Sequence, residues 1–422
     1  MGERDIFMST ESVWPQLPFQ VLIDIFKNLS NRDKFNAAMT CKAWVPLLDV
    51  PALFTTGHFL FQSDDVKRAL LFARARGKWL RHVYADCFKL PNDDDVPFKP
   101  GPCEPPGIEL MYQFIASLLH CRNNKLNTIS LKNIKFLKTF SDDGKERPKS
   151  HLLRIITTLV EAQQQLRELD LTNASLEIDK GSKLLQAASR SCSKTLHKLA
   201  IDRFIQLNRQ DLTAFKAALY SFENLYELEV GYDFLSDTFL KDLAGTSRCS
   251  LRLQVLTVRA TYKADVGTST SREAWQKLTA SLPELKVVFF IKPKSRSEES
   301  YYDIAPQVIL VPSMPLYGLH WATGSFISVE NIILCFQYIA TNFKSSLHHL
   351  DLTSEVRLDN EAIGELFQSL QVCKRLKTFV LGLPCDLKTD ERDYQQAISK
   401  AMRQHEATYA VTLNGQKVLE VC

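Results

Sequence analysis

One spacing constrains this chain more than any other. Leucines that open a Leu-x-x-Leu-x-Leu pattern recur at Leu80, Leu126, Leu166, Leu196, Leu225, Leu253, Leu285, Leu316, Leu347 and Leu376. From Leu166 onward the gaps are 30, 29, 28, 32, 31, 31 and 29 residues. The clearest copies are Leu166-Arg-Glu-Leu169-Asp-Leu171-Thr-Asn173 and Leu347-His-His-Leu350-Asp-Leu352-Thr353; those at Leu80 and Leu316 fit least. Alternating leucines over so short a run describe a strand with one buried face. Between copies lie helix-period stretches, Leu152 to Leu166, Phe215 to Leu225, Glu273 to Leu282, Val329 to Thr341 and Asn360 to Val372. One strand and one helix cannot bury their own apolar faces, so successive units must stack. The expectation is an α/β solenoid with parallel strands on the concave side and helices on the convex side. Ala410 to Leu413 reads as a terminal strand.

Composition excludes more than it assigns. Of 422 residues, 45% are hydrophobic and 24% charged, ordinary for a soluble folded chain. A net charge of +4 argues against a generally basic nucleic-acid binder. No apolar run approaches the ~20 residues of a membrane span. Met1-Gly2-Glu3-Arg4-Asp5 lacks the apolar core of a signal peptide. The ten cysteines are scattered without a Cys-x-x-Cys pair, which predicts neither zinc nor a disulfide framework, but apolar core residues in a reducing cytosolic or nuclear compartment. Phosphate loops, Gly-x-Gly-x-x-Gly and His-Glu-x-x-His are absent. The expectation is a chain with no catalytic residue, no cofactor and no metal.

The first 57 residues differ from the rest. After a patternless tail over residues 1–12, Leu17-Pro18 starts a helix, where proline loses nothing because a first-turn amide has no intrahelical partner. Val21, Leu22, Ile25, Phe26 and Leu29 form one apolar stripe, wider than two more short helices can cover. Ser30 or Asn31 caps a second helix, with Asp33 in its first turn. Cys41, Trp44, Leu47 and Leu48 mark a third, and Pro51-Ala52-Leu53-Phe54 closes the unit.

Leu17-Pro18, Val21-Leu22, Ile25-Phe26, Leu29, Arg32-Asp33, Cys41-x-x-Trp44 and Pro51-x-Leu53-Phe54 together resemble an F-box. Phe35 and Thr40 depart from the pattern, which more often has leucine and valine there. The downstream units resemble leucine-rich repeats of slightly long period. The resemblance implies an F-box at residues 13–57 and a repeat horseshoe at 58–422, with a Pro-rich loop at 90–107 holding six of the 17 prolines. It further implies docking to the Skp adaptor, and through it to a cullin, by Leu17, Pro18, Val21, Leu22, Ile25, Phe26, Leu29, Trp44 and Phe54. The chain would then be the substrate receptor of an SCF-type ubiquitin ligase. A Skp-binding scaffold without a degradation role and a horseshoe-type enzyme regulator are the alternatives.

Residues between the inward leucines face the concave side. Read this way, Glu168, Asp170, Asp202, Glu227 and Glu229 cluster beside an apolar strip of Val255, Val287, Phe289 and Ile291. That junction is the candidate substrate site, suited to a basic segment with an apolar anchor. The competing expectation is that these carboxylates pair with Lys132, Lys198 and Arg259 across strands, or that a loop covers the strip.

Overall fold

The computed structural model describes residues 17–61, 65–87, 107–134, 150–206, 212–245, 252–261, 270–292, 306–324, 327–384, 388–405, 409–414 and 416–419. Each Leu-x-x-Leu-x-Leu frame sends its leucines inward: Leu166, Leu169 and Leu171, like Leu347, Leu350 and Leu352, are fully buried. The resulting strands are β1 (Thr56–Leu60), β2 (His82–Asp86), β3 (Thr128–Lys132), β4 (Glu168–Asp170), β5 (Lys198–Ala200), β6 (Glu227–Gly231), β7 (Val255–Thr261), β8 (Lys286–Lys292), β9 (Leu316–Thr323), β10 (His349–Ser354), β11 (Thr378–Gly382), β12 (Ala410–Leu413) and β13 (Gln416–Leu419). They form one open sheet in strict chain order. Every neighbouring pair from β1 to β12 is parallel, and β13 folds back antiparallel on β12. This is a leucine-rich-repeat solenoid.

Helices return the chain on the convex side, among them Ser150–Glu161, Arg272–Ser281, Val329–Phe343 and Asn360–Leu370. Ser271, Ser328 and Asp359 cap the last three by accepting from the amides of Ala274, Asn331 and Ala362. Strand and helix faces share one continuous core from Phe59 to Leu413. Asn133 and Asn173 leave their strands with φ of 62° and 66°, a region asparagine tolerates better than most residues. Asn173 Nδ2 donates to Asn133 Oδ1, and Asn133 Nδ2 to Asp86 Oδ1, each at 2.7 Å, so the amides form a ladder along the strand ends.

Two elements differ from the sequence expectation. The sheet begins at Thr56, one strand before the first expected copy, and β13 adds a closing hairpin. The Pro-rich stretch lies outside the described residues, except that Gly107 opens the helix Gly107–His120.

Candidate docking surfaces

The N-terminal unit is built from α1 (Phe19–Lys27), α2 (Asn31–Thr40) and a 3-10 turn over Lys42–Asp49 that contains Pro46. The third segment is thus 3-10 rather than α. Ser30 Oγ accepts the Asp33 amide at 3.1 Å and donates to the Asp33 carboxylate at 2.6 Å, fixing the start of α2. The apolar stripe of α1 divides in two. Leu22 and Phe26 turn inward and join Leu47, Leu53 and Phe54 in a small core. Leu17, Leu29 and Trp44 are half-buried against it, Trp44 meeting Phe26 edge to face at 5.8 Å. Leu22, Phe26 and Phe54 therefore do not face a partner: this chain's own side chains cover them. Pro18, Val21 and Ile25 stay exposed, at 43% for Val21 and 39% for Ile25. Phe19, Met39 and Val45 are also exposed, at 52%, 84% and 47%. Sequence reading did not single out these three as exposed apolar residues; Phe19 borders Pro18, but the 3-10 geometry that turns Val45 outward left no periodic signal.

Phe54 is covered because it is the joint between this unit and the solenoid. The Arg76 guanidinium, from α3 (Asp65–Arg76), lies 5.0 Å from the Phe54 ring and 4.9 Å from Phe35. Its nitrogens donate to the Leu48 carbonyl at 3.3 Å. The buried Lys34 ammonium lies 5.6 Å from the Phe54 ring centre and donates to the Leu53 carbonyl at 2.8 Å. Trp79 stacks on Phe54 at 6.3 Å, and Asn31 Nδ2 reaches the Thr56 carbonyl of β1. Burial draws the Lys34 ammonium below its usual pKa, as expected for a desolvated cation.

On the concave face, cross-strand ion pairs take up three of the five carboxylates of the acidic cluster, with the cations Lys132, Lys198 and Arg259. Asp170 meets Lys132 at 3.1 Å, Glu227 meets Lys198 at 2.9 Å, and Glu229 meets Arg259. Thr128 also donates to Glu168, and Ser130 to Asp170. Asp202 is buried beside Gly231, whose missing side chain leaves room for its carboxylate. Burial pushes the Asp202 carboxyl up to about 6, against the pull of Arg203 and Arg259. Three of the five carboxylates are thus ion-paired, Glu168 is held by a hydroxyl and Asp202 is buried, so little of the cluster is open to a basic partner.

The apolar strip needs a sharper correction. Val255 faces the concave side, half-buried, but Val287, Phe289 and Ile291 are fully buried core residues. β8 enters the sheet one residue early: Lys286 pairs with Val255 and Val287 with Leu256. Lys286, Val288, Phe290 and Lys292 take the outward positions instead. The frame recovers at β9, where the register shifts between Val287 and Val288 so that Tyr317 is the extra residue. Phe290 then stacks face to face on His320 at 4.2 Å, with Arg259 over its other side at 4.5 Å. His320 Nδ1 meets Asp351 at 3.1 Å.

A family model described as F-box-like matches residues 14–58. The chain carries an F-box-like domain. It is homologous to F-box/LRR-repeat proteins. Human F-box/LRR-repeat protein 8 is 25% identical over 306 residues, covering 72% of this chain and 73% of that protein. Mouse F-box/LRR-repeat protein 21 is 20% identical over 300 residues, covering 68% of this chain and 62% of that protein. Among solved structures, the leucine-rich repeat-containing protein LegL7 from Legionella pneumophila aligns over 86% of this chain and 92% of its own, with TM-score 0.39 and 11% identity. The F-box-like domain ends inside β1, so its last residues are already the first strand of the solenoid. Among the described residues, no group of three or more His, Cys, Asp and Glu is placed to hold a metal ion. No helix among them is long and apolar enough to cross a membrane. Cys87, Cys192, Cys335 and Cys373 are buried thiols.

Proposed function

We propose that this chain is the substrate-recognition subunit of an SCF-type ubiquitin ligase. Its F-box-like domain docks to the Skp adaptor, which links it to a cullin. The solenoid binds a protein substrate, in the cytoplasm or nucleus. The chain contributes no catalytic group; ubiquitin transfer belongs to other subunits, and this one supplies proximity.

The observation that carries the reading is the exposed apolar set on one short domain: Pro18, Phe19, Val21, Ile25, Met39 and Val45. A helical face in a partner's groove uses anchors three and four residues apart, the spacing of Pro18, Val21 and Ile25. The inward half of α1 packs in the domain's own core, apart from that face.

The test is co-purification of the Skp adaptor with the full-length chain and with the Val21→Glu, Ile25→Glu double variant. Both substituted positions are exposed, so the variant keeps its far-UV circular dichroism and loses the adaptor. Wild-type chain that fails to retain the adaptor refutes the proposal. A reconstituted ubiquitination assay on captured proteins separates a degradation receptor from a scaffold.

A further inference from the structure

The concave face is largely neutralised by its own ion pairs, but the leading lip of the sheet is not. The residue just before or at the start of each strand lies on this lip; backbone hydrogen bonds join the row up to Lys286, which by register also stands at the concave position beside Val255, and again from Tyr317, the residue that the register shift leaves over. His197 N donates to the Arg167 carbonyl, Lys286 N to Gln254, His348 N to Tyr317 and Lys377 N to His348. No position of this row, from Arg81 to Lys377, holds a carboxylate. Arg81, Arg167, His197, Lys286, His348 and Lys377 are all basic. Among the described residues, Arg167, Lys286 and Lys377 make no ion pair and are exposed. Strands are ~4.8 Å apart, so the lip carries the cations Arg81, Arg167, Lys286 and Lys377 and two histidines among neutral side chains, with no carboxylate in the row.

Toward its C-terminal end the side chains of the lip pack on one another. The Lys286 ammonium sits 5.0 Å from the centre of the Tyr317 ring, and that ring stacks on His348 at 4.5 Å with 19° between planes. His348 Nδ1 donates to the Ser346 carbonyl at 2.7 Å, which fixes the imidazole and leaves Nε2 outside that bond. Lys377 follows on the next strand. The frame slip of β8 and the extra residue of β9 bring Lys286 against Tyr317. Cation, phenol and imidazole are thus held against one another, with Lys377 at the matching position of the next strand.

We infer that this lip, centred on Lys286, Tyr317, His348 and Lys377, is the receptor site for an acidic, extended polypeptide segment. The inference rests on the receptor reading for its biological use and names the class of substrate. The pattern fits carboxylates better than a nucleic acid. Unpaired cations fall on only some strands, whereas a nucleic-acid backbone needs many closely spaced phosphate contacts. A lysine ammonium is a compact point charge and the His348 ring has one nitrogen left, which suits isolated carboxylates rather than forked phosphate recognition, and the one nearby arginine of the concave face, Arg259, is already held by Glu229. Long-range attraction to an acidic segment is also what raises association rates at low salt.

The test is fluorescence anisotropy of the full-length chain with a fluorescein-labelled Asp/Glu-rich peptide, its Asn/Gln counterpart and a labelled oligouridylate. The acidic peptide binds, more weakly as salt rises, and the amide peptide does not. Lys286→Glu with Lys377→Glu weakens binding about tenfold or more, since each reversal removes an attraction and adds a repulsion. Lys286→Gln with Lys377→Gln gives a smaller loss, and both variants keep the wild-type melting temperature. Equal binding of the acidic and amide peptides, unchanged affinity in the reversal variant, or tighter binding of the oligouridylate overturns the inference. Adaptor capture, measured on the same preparation, fails or succeeds independently of these outcomes.

Discussion

Replacing Asp202 by asparagine should stabilise the protein at neutral pH. Its carboxyl is 6% exposed and burial lifts its pKa from 3.8 to about 6. The folded state thus holds this proton to a higher pH than the unfolded chain does. Between pH ~4 and ~6 the folded state binds more protons, so this group's contribution to stability falls as pH rises, then stays level. The shift is roughly two units at ~1.4 kcal/mol each, so the charged carboxylate costs about 3 kcal/mol at pH 7. Asp202→Asn keeps the shape that fills the space above Gly231 and removes that cost. Urea unfolding of wild type and variant, compared at several pH values, reads the difference. The variant gains up to about 3 kcal/mol at pH 7, and the gain vanishes toward pH 4. A variant less stable than wild type at pH 7 would refute the reasoning. It would mean that attraction to Arg203 and Arg259 outweighs desolvation.

Two further outcomes test the concave register and its pairing. Phe289→Ala should cost ~3–5 kcal/mol in denaturant unfolding, because Phe289 is fully buried, whereas Phe290→Ala on the outward face should cost much less; equal losses would restore the unshifted frame. Glu229→Gln leaves the Arg259 guanidinium without its carboxylate and should cost ~1–3 kcal/mol by thermal melting, while Glu227→Gln, at a more exposed pair, should change stability by under ~1 kcal/mol.

The leucine frame exposed most of the solenoid because a buried position every second residue is hard to disguise. It failed where that contrast disappears. β1 buries Gly57 and Phe59; with no opening leucine and a glycine at one inward position, nothing in the sequence alternates. In Lys286-Val-Val-Phe-Phe-Ile291 almost every residue is apolar, so the two faces look alike, and only the pairing of Lys286 with Val255 decides between them. The acidic cluster was legible as residues, and its pairing with Lys132, Lys198 and Arg259 as one of two alternatives; which carboxylate meets which cation depends on which strand neighbours which. The α1 stripe was legible as apolar, but the inward half is chosen by Leu47, Leu53 and Phe54 in the folded unit. The lip row was present in the sequence as the residue following each opening leucine in most copies. Its single sign becomes visible only once the strands are laid side by side.

The clamp on Phe54 has a mechanical consequence. Aromatic stacking on Trp79, two cations near the ring and the Asn31 bond to β1 leave no free linker between the helical unit and the sheet. A flexible tether would let a captured molecule wander through a volume set by tether length, diluting it with respect to anything held at α1. Here the two ends behave as a bracket. In the proposed assembly, a segment on the lip would stand at a constant offset from an adaptor on Val21 and Ile25. Which surface of a cargo comes within reach is then settled by how the cargo is oriented on the strands, not by motion at the joint.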